Sequence, residues 1–330
     1  MANRVTIEKL AAWLAAQDDI VVLGHVSPDG DASGSTLAVW HALKALGKRA
    51  VVCLPGGIPR MYMDMPGSDG VQDTGDPLPF EPKAALSVDV SDIPRLGEAG
   101  QKLFEACPAR AALDHHHTNE GLGQLYVLDG EAAAAGELVM DLIDALGVKL
   151  TREMAECLFI AISTDCGHFS YSNTRAQTFR AAARCVEAGI DVAALTERLY
   201  RTRTRGRTLL LGLVLAGLET SPNGKIAWAR LTEDMLAAAG ALREDNEGIV
   251  NYLVEIEGVR FAILAEQRGE STKLSLRSKP PLNAARDVAT PLGGGGHECA
   301  AGCTLQMPME PAIEKALALV REAMGAGIRD

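Results

Sequence analysis

Aromatic residues are scarce, making up 4% of the 330 residues, so the cores must be built from Ala, Leu and Val. No two cysteines stand at C-x-x-C spacing, and the total of seven is odd. Both features argue against a disulfide framework and against a thiolate zinc site, and they fit a reducing compartment. Long apolar runs are missing too: the longest, residues 209–218, is about half a membrane span. The opening MANRVTIEKLAAWLAAQDD does not have the layout of a signal peptide, and the chain reads as cytoplasmic. Positive charge is in deficit, with 32 Lys plus Arg against 43 Asp plus Glu and a formal net charge of −11. An extended basic track for a long nucleic-acid strand is therefore not expected. A polyanionic substrate would need local attraction, for which bound metal ions are one candidate.

What is present is an ordinary globular composition, 47% hydrophobic and 23% charged, at a length suited to about two domains. The first half alternates strand and helix signals. An apolar run at 20–23 leads through the loop HVSPDGDAS into a helical stretch with Leu37, Trp40, Leu43 and Leu46, which stops at Gly47 before a strand over 49–54. This β-loop-α-β pattern predicts an α/β fold with a mainly parallel sheet flanked by helices and ligand loops at the carboxyl ends of its strands. Further strands are expected at 84–90 and 110–114, and helices at 132–146, 151–163 and 175–188, the last with Thr174 and Gln177 spaced as a capping box. The alanine-rich EAAAAGE reads as an ordinary helix start. The arginine-rich RTRTRGR at 201–207 breaks the composition ahead of an apolar helix, and we take this stretch as the interdomain connection. Strands at 225–231, 259–266 and 272–277 and a last helix near 311–324 then indicate a smaller α+β domain. The expected division is 1–192, a connecting segment 193–217, and 218–330.

Four segments concentrate ionisable side chains at the ends of these elements. HVSPDGDASGS holds His25, Asp29 and Asp31, with Pro28 and Gly30 forcing a tight turn; a helix N-cap with solvated aspartates is the simpler reading of this segment alone. LSVDVSD places Asp89 at the end of an apolar strand, where burial without a partner is costly, while Asp92 reads as a loop cap. ALDHHHTN sets Asp114, His115, His116 and His117 in a row, and AISTDCGHFSYSNT closes an apolar helix on Asp165. An Asp at a helix C-terminus opposes the macrodipole unless a cation lies nearby. His25, Asp29, Asp31, Asp89, His115 and Asp165 form a mixed carboxylate and imidazole set that suits Mn²⁺, with Mg²⁺, Co²⁺ or Fe²⁺ as competitors. Six ligands exceed what one catalytic ion needs, so a pair of ions about 3.5–4 Å apart sharing a carboxylate accounts for the number.

The second domain contains LSLRSKPPLN and PLGGGGHECAAG. The glycine run 293–296 can expose backbone N–H groups to a phosphate, with Arg277, Lys279 and His297 supplying charge.

HVSPDGDASGS, LSVDVSD, ALDHHHTN and AISTDCGHFSYSNT resemble, in order, the four motifs of the DHH phosphoesterase superfamily, and RSK with GGGGHECAAG resembles the DHHA1 signature. The length resembles that of the stand-alone oligoribonucleases of this group, many of which also act on 3′-phosphoadenosine 5′-phosphate. The resemblance implies an N-terminal DHH domain and a C-terminal DHHA1 domain with the active-site cleft between them. It implies one ion on His25 and Asp29, a second on Asp31, His115 and Asp165, and Asp89 bridging both. His116 would face the scissile phosphate, with Asp114 orienting the histidines. Arg277, Ser278, Gly294, Gly295, Gly296 and His297 would hold the nucleotide. The implied activity is metal-dependent hydrolysis of short oligoribonucleotides to nucleoside 5′-monophosphates by a water that two ions activate, in a monomer or homodimer. Linear dinucleotides from cyclic-dinucleotide turnover are the rival substrate, and a nucleotide-binding regulator without catalysis the rival class. Cys166, His117 and the pair Pro280-Pro281 depart from the family pattern.

Overall fold

Strands that are apolar along their whole length need cover on both faces, and the first part of the chain provides it. The computed structural model describes residues 3–119, 121–296 and 298–327, and the chain divides into two compact units, Met1–Leu199 and Tyr200–Asp330. In the first unit seven strands form one sheet: β1 (Asn3–Arg4), β2 (Ile20–Leu23), β3 (Ala50–Leu54), β4 (Gln72–Asp73), β5 (Ala84–Val88), β6 (Ala109–Asp114) and β7 (Leu125–Leu128). Their order is β1-β7-β6-β5-β2-β3-β4 and every neighbouring pair is parallel. The helices are α1 (Ile7–Ala15), α2 (Gly30–Ala45), α3 (Gly97–Ala106), α4 (Ala135–Ala145), α5 (Arg152–Asp165), α6 (Ala176–Glu187) and α7 (Val192–Thr196). Side chains alternate along β2: Ile20 and Val22 join a core with Leu37, Leu86 and Leu158, while Val21 and Leu23 join another with Ala85 and Phe104. The sheet order reverses at β2, with β3 on one side and β5 on the other, which opens a crevice at the carboxyl ends of β2 and β5.

Local sequence explains most of the boundaries. Gly47 takes a left-handed φ of 72° and ends α2 as expected. Two expectations are corrected. The helix α4 starts at Ala135, not at 132, and Ala134 is extended, so the alanine run is a structured turn ahead of the helix. The start of α6 is one residue late: Arg175 N–H donates to Thr178 Oγ1 at 3.1 Å, while the Thr174 hydroxyl turns to the Cys166 carbonyl.

A buried acidic pin holds the edge where β2 begins. Asp19 has a left-handed φ of 53°, its carbonyl accepts from Lys83 N–H, and its carboxylate pairs with Arg49 and Lys83. Those partners, Arg49 first, hold the Asp19 carboxyl at about 2. Because the folded pKa is depressed, the stabilisation is present above the unfolded value of about 3.9 and is lost as pH falls through about 2. Asn tolerates the same backbone, so Asp19→Asn is expected to lower the melting temperature modestly, both cations being mostly exposed. The gap from wild type should close as pH drops from about 4 to about 2; a gap independent of pH would contradict the ionic origin.

The second unit carries a mixed sheet of β8 (Glu219–Thr220), β9 (Ile226–Leu231), β10 (Phe261–Arg268), β11 (Ser271–Ser278), β12 (Gly295–Gly296) and β13 (Ala300–Leu305), ordered β12-β13-β11-β10-β9-β8 with only β9 and β10 parallel. Its helices are α8 (Arg205–Ala216), α9 (Glu233–Ala239), α10 (Ile249–Val254) and α11 (Met309–Gly327). Ile263, Leu274 and Leu276 pack with Ile313 and Val320 of α11 on one face. On the other face Ala262 and Leu264 pack with Leu210, Val214 and Leu253, so α8 contributes to the core of this unit. Among the described residues no helix is long and apolar enough to cross a membrane.

Candidate metal centre

Three adjacent strands end at the crevice, and each delivers one polar side chain just past its last apolar residue. His25 follows β2, Asp89 follows β5 and His115 follows β6. The start of α2 adds Asp29 and Asp31, and the last residue of α5 is Asp165. His25 Nε2 lies 3.7 Å from Asp29 and 3.5 Å from Asp89 Oδ2. His115 Nε2 lies 3.5 Å from Asp89 Oδ1, 3.8 Å from Asp31 and 3.5 Å from Asp165. The two oxygens of Asp89 thus face two different imidazoles, and the six side chains fall into two sets that meet at this carboxylate.

Local interactions aim each of them. Asp89 adopts a left-handed φ of 61°, a conformation Asp tolerates better than most residues. Asp29 caps α2, its Oδ1 accepting from Ala32 N–H at 3.0 Å; the helix-cap reading of this segment therefore holds alongside its place in the cluster. Asp31 is buried and accepts from Ser35 Oγ (2.7 Å) and from the first N–H groups of α4, Ala135 (2.6 Å) and Gly136 (3.0 Å). His25 Nδ1–H donates to Val26 O at 2.9 Å and His115 Nδ1–H to Ala132 O at 3.2 Å. In that tautomer both Nε2 lone pairs point at the carboxylates, as a ligating histidine requires. His116 is arranged differently: its Nδ1–H donates to Asp114 Oδ1 at 2.8 Å, and the second oxygen of this fully buried Asp accepts from Asn119 at 2.6 Å. Asp92 stands apart as the cap of a short turn, with Arg95 N–H on its Oδ1. Cys166 is buried, and its sulfur accepts from Phe169 N–H at 3.3 Å, closing the turn after Asp165.

The residues fit a bound cation. Asp89 Oδ1 is buried with no hydrogen-bond partner among the described residues, an arrangement that carries a large desolvation penalty. Separations of 3.5 to 3.8 Å are too long for hydrogen bonds. They are close to what atoms sharing an ion at about 2.1 Å would show, roughly 3–3.5 Å. Electrostatics agree. Burial opposes the charge on His25, yet the Asp29 and Asp89 carboxylates push it up to about 10; His115 is raised well above its usual range in the same way, chiefly by Asp89. Burial, then repulsion from Asp89, raises Asp31; burial also lifts Asp165 to about 7. Burial works against the Asp89 charge too, but His115 and His25 hold its carboxyl well below the carboxylate range.

The surrounding carboxylates thus favour protons on His25 and His115, and burial favours one on Asp165. Uptake of a divalent ion is expected to expel them. In calorimetric titration with Mn²⁺ the heat should vary with the ionisation enthalpy of the buffer, and apparent affinity should rise from about pH 6 to about pH 8. Heats identical in all buffers would contradict this protonation pattern.

In the second unit Arg277 Nε donates to Asn251 Oδ1 at 2.9 Å. The buried Ser278 hydroxyl is engaged by Leu282 O, Glu298 O and Ala284 N–H, so it shapes the turn after β11. The glycines divide by role. A Cβ at Gly294 would lie 2.2 Å from Gly302 O and one at Gly296 2.6 Å from Ala300 O, whereas one at Gly295 would meet open space. Close pairing with β13 thus demands Gly294 and Gly296, and Gly295 faces outward. Pro280-Pro281 is a cis pair. His297 lies outside the described residues.

Comparison with known proteins agrees with this architecture. Residues 19–162 match the DHH family N-terminal domain and residues 225–326 the DHHA1 domain. The chain is 37% identical to the bifunctional oligoribonuclease and PAP phosphatase NrnA of Thermus thermophilus, over 94% of this chain and 91% of that one. An exopolyphosphatase-related protein from Bacteroides fragilis has a similar structure, with a TM-score of 0.91 at 28% identity over 97% and 96% of the two chains. RecJ of Thermus thermophilus, crystallised with Mn²⁺, shares the fold at a TM-score of 0.56 and 18% identity, over 98% of this chain and 55% of RecJ. The parallel sheet with its clustered histidines and aspartates, followed by the glycine-bearing mixed sheet, places the chain in the DHH–DHHA1 phosphoesterase family, among the relatives of bifunctional oligoribonuclease and PAP phosphatase NrnA.

Proposed function

We propose that the protein hydrolyses short oligoribonucleotides to nucleoside 5′-monophosphates, and 3′-phosphoadenosine 5′-phosphate as a second substrate, at a centre of two divalent ions, with Mn²⁺ the preferred ion. The observation that carries this reading is the division of six ligands into two sets around one carboxylate: His25 and Asp29 on one side, Asp31, His115 and Asp165 on the other, Asp89 shared. The name of the Thermus relative supports the substrate class. Two ions held there would supply an acidified water and would neutralise charge at the phosphate.

The chain's own residues do the rest. Asp114 holds His116 by Nδ1, which fixes the ring and leaves any proton for transfer on Nε2. Burial disfavours the imidazolium, while the Asp114 hydrogen bond and the charge of Asp89 raise its pKa; Nε2 is the atom through which His116 would bond a phosphate oxygen or assist the leaving group. Chemistry would reside in 1–192 and recognition in 218–330, with 193–217 between. Arg277, the glycines 294–296 and His297 would hold the nucleotide, Ser278 acting through the turn it braces. A net charge of −11 disfavours a long strand, since a few local cations and ions act only at short range. The protein would work as a monomer or homodimer.

The test is product analysis with a 5′-labelled RNA dinucleotide, a long RNA strand and 3′-phosphoadenosine 5′-phosphate, each with Mn²⁺ and with EDTA. We expect metal-dependent mononucleotide release from the dinucleotide and slow attack on the long strand. Faster degradation of the long strand would overturn the substrate, and nucleotide binding without turnover of any of them would make the protein a regulator.

A further inference from the structure

The alanine-rich turn ahead of α4 makes three backbone hydrogen bonds to the candidate ligands. Ala132 O accepts from His115 Nδ1–H, and Ala135 and Gly136 N–H both donate to Asp31. Between them Ala133 O accepts from Asn173 Nδ2 at 3.1 Å. The same amide nitrogen donates to Asp165 O at 3.2 Å. Asp165 ends α5, where a carbonyl has no intrahelical donor and must find one elsewhere. The chain after it runs through three successive left-handed residues, Gly167, His168 and Phe169, with φ of 56°, 52° and 65°. Two of these are bulky residues that resist such a backbone, so the turn needs outside bonds to persist.

We propose that Asn173 is a positioning residue for one of the two ion positions: its amide fastens the Asp165 backbone to the turn that aims His115 and Asp31, and so sets the spacing of these three ligands. The inference rests on the two-ion reading above. Chemistry dictates the amide's orientation, because both partners are carbonyl oxygens and only the NH₂ group can face them. The arrangement leaves Asn173 Oδ1 buried without a hydrogen-bond partner among the described residues. A residue serving packing alone would not keep that unsatisfied oxygen, which a smaller side chain would avoid. The His25–Asp29 set has no bond to this turn among those described, so its ion position should be independent of Asn173.

The experiment is a Mn²⁺ titration by calorimetry, with bound Mn²⁺ counted by electron paramagnetic resonance, on the wild type, Asn173→Ala and Asn173→Asp. Thermal unfolding in EDTA is recorded alongside. Asn173→Asp keeps the shape but sets a carboxylate against two carbonyl oxygens. We expect the wild type to bind two ions, and both variants to weaken one of them by about 10–100-fold while the other keeps its affinity. Melting in EDTA should fall only modestly in both variants, because two backbone carbonyls lose their donor while the fold is kept. Wild-type affinities at both positions in both variants would overturn the role of Asn173, as would equal weakening of both ions or failure of both variants to fold. A wild type that binds fewer than two ions would instead overturn the two-ion reading, and this inference with it.

Discussion

Asp89→Asn is expected to lower kcat/KM on an RNA dinucleotide by on the order of 10³-fold or more, and to abolish most of the rise in melting temperature that Mn²⁺ gives the wild type. The two oxygens of Asp89 face both imidazoles, Oδ2 toward His25 and Oδ1 toward His115, each at 3.5 Å. Replacing one oxygen by NH₂ removes a ligand atom from one set and the negative charge from both. The fold should survive the change. Asn has the same shape and accepts a left-handed backbone as readily as Asp, and Asp89 N–H bonds to Leu113 O whatever the side chain. Asp29→Asn should be much milder, because Asp29 is 54% exposed and Asn can cap α2 equally well. Melting curves with and without Mn²⁺, beside steady-state rates, check both expectations. Activity of Asp89→Asn within tenfold of wild type would show that the carboxylate is not shared.

The largest expected effect on stability comes from a methyl group. In Gly34→Ala the new Cβ would lie 2.3 Å from the carbonyl oxygen of Cys157, a backbone atom on the facing helix α5, and 3.0 Å from Ala161 Cβ. No rotamer relieves a clash with backbone, so α2 and α5 must move apart. Ala is better than Gly inside a helix by about 1 kcal/mol, but overpacking of this kind usually outweighs that gain. We expect a net loss of about 2 kcal/mol, a fall in melting temperature of about 4–8 °C for the first unit. Because α2 carries Asp31 and α5 carries Asp165, separation of the two helices should also reduce Mn²⁺ affinity. Gly212→Ala in α8 is the control: nothing lies within 4 Å of its new Cβ, so it should stabilise slightly. Destabilisation by Gly212→Ala, or none by Gly34→Ala, would show that helix contact does not decide these positions.

Strands and helices with a strong apolar period were legible in the sequence: β2, β3, β5 and β6, and α2 with its stop at Gly47. The six clustered side chains were legible too: His25, Asp89, His115 and Asp165 each follow an apolar run at a point where a charge needs a partner, while Asp29 and Asp31 stand in a tight polar turn. Less could be read where backbone is held by tertiary bonds. The strand β13, AAGCTL, has no alternation of large and small side chains; it forms because β11 and β12 pair with both of its edges. EAAAAGE has high helix propensity throughout, yet 132–134 are held out of the helix by His115 and Asn173. Asn173 lay within the segment AISTDCGHFSYSNT, but nothing in residue type or spacing marked its amide as a bridge between two backbone carbonyls.

Residue type and spacing alone determined the α/β class, the presence of a second domain and the identity of the candidate ligands, since burial patterns and the coordination preferences of carboxylate and imidazole are local properties. Which ligands share a partner, which ring nitrogen each histidine presents, and that Gly294 and Gly296 serve strand pairing while Gly295 faces outward were decided only by tertiary structure. These depend on distances between residues far apart in the chain, and such distances exist only once the sheet has brought the ends of β2, β5 and β6 side by side.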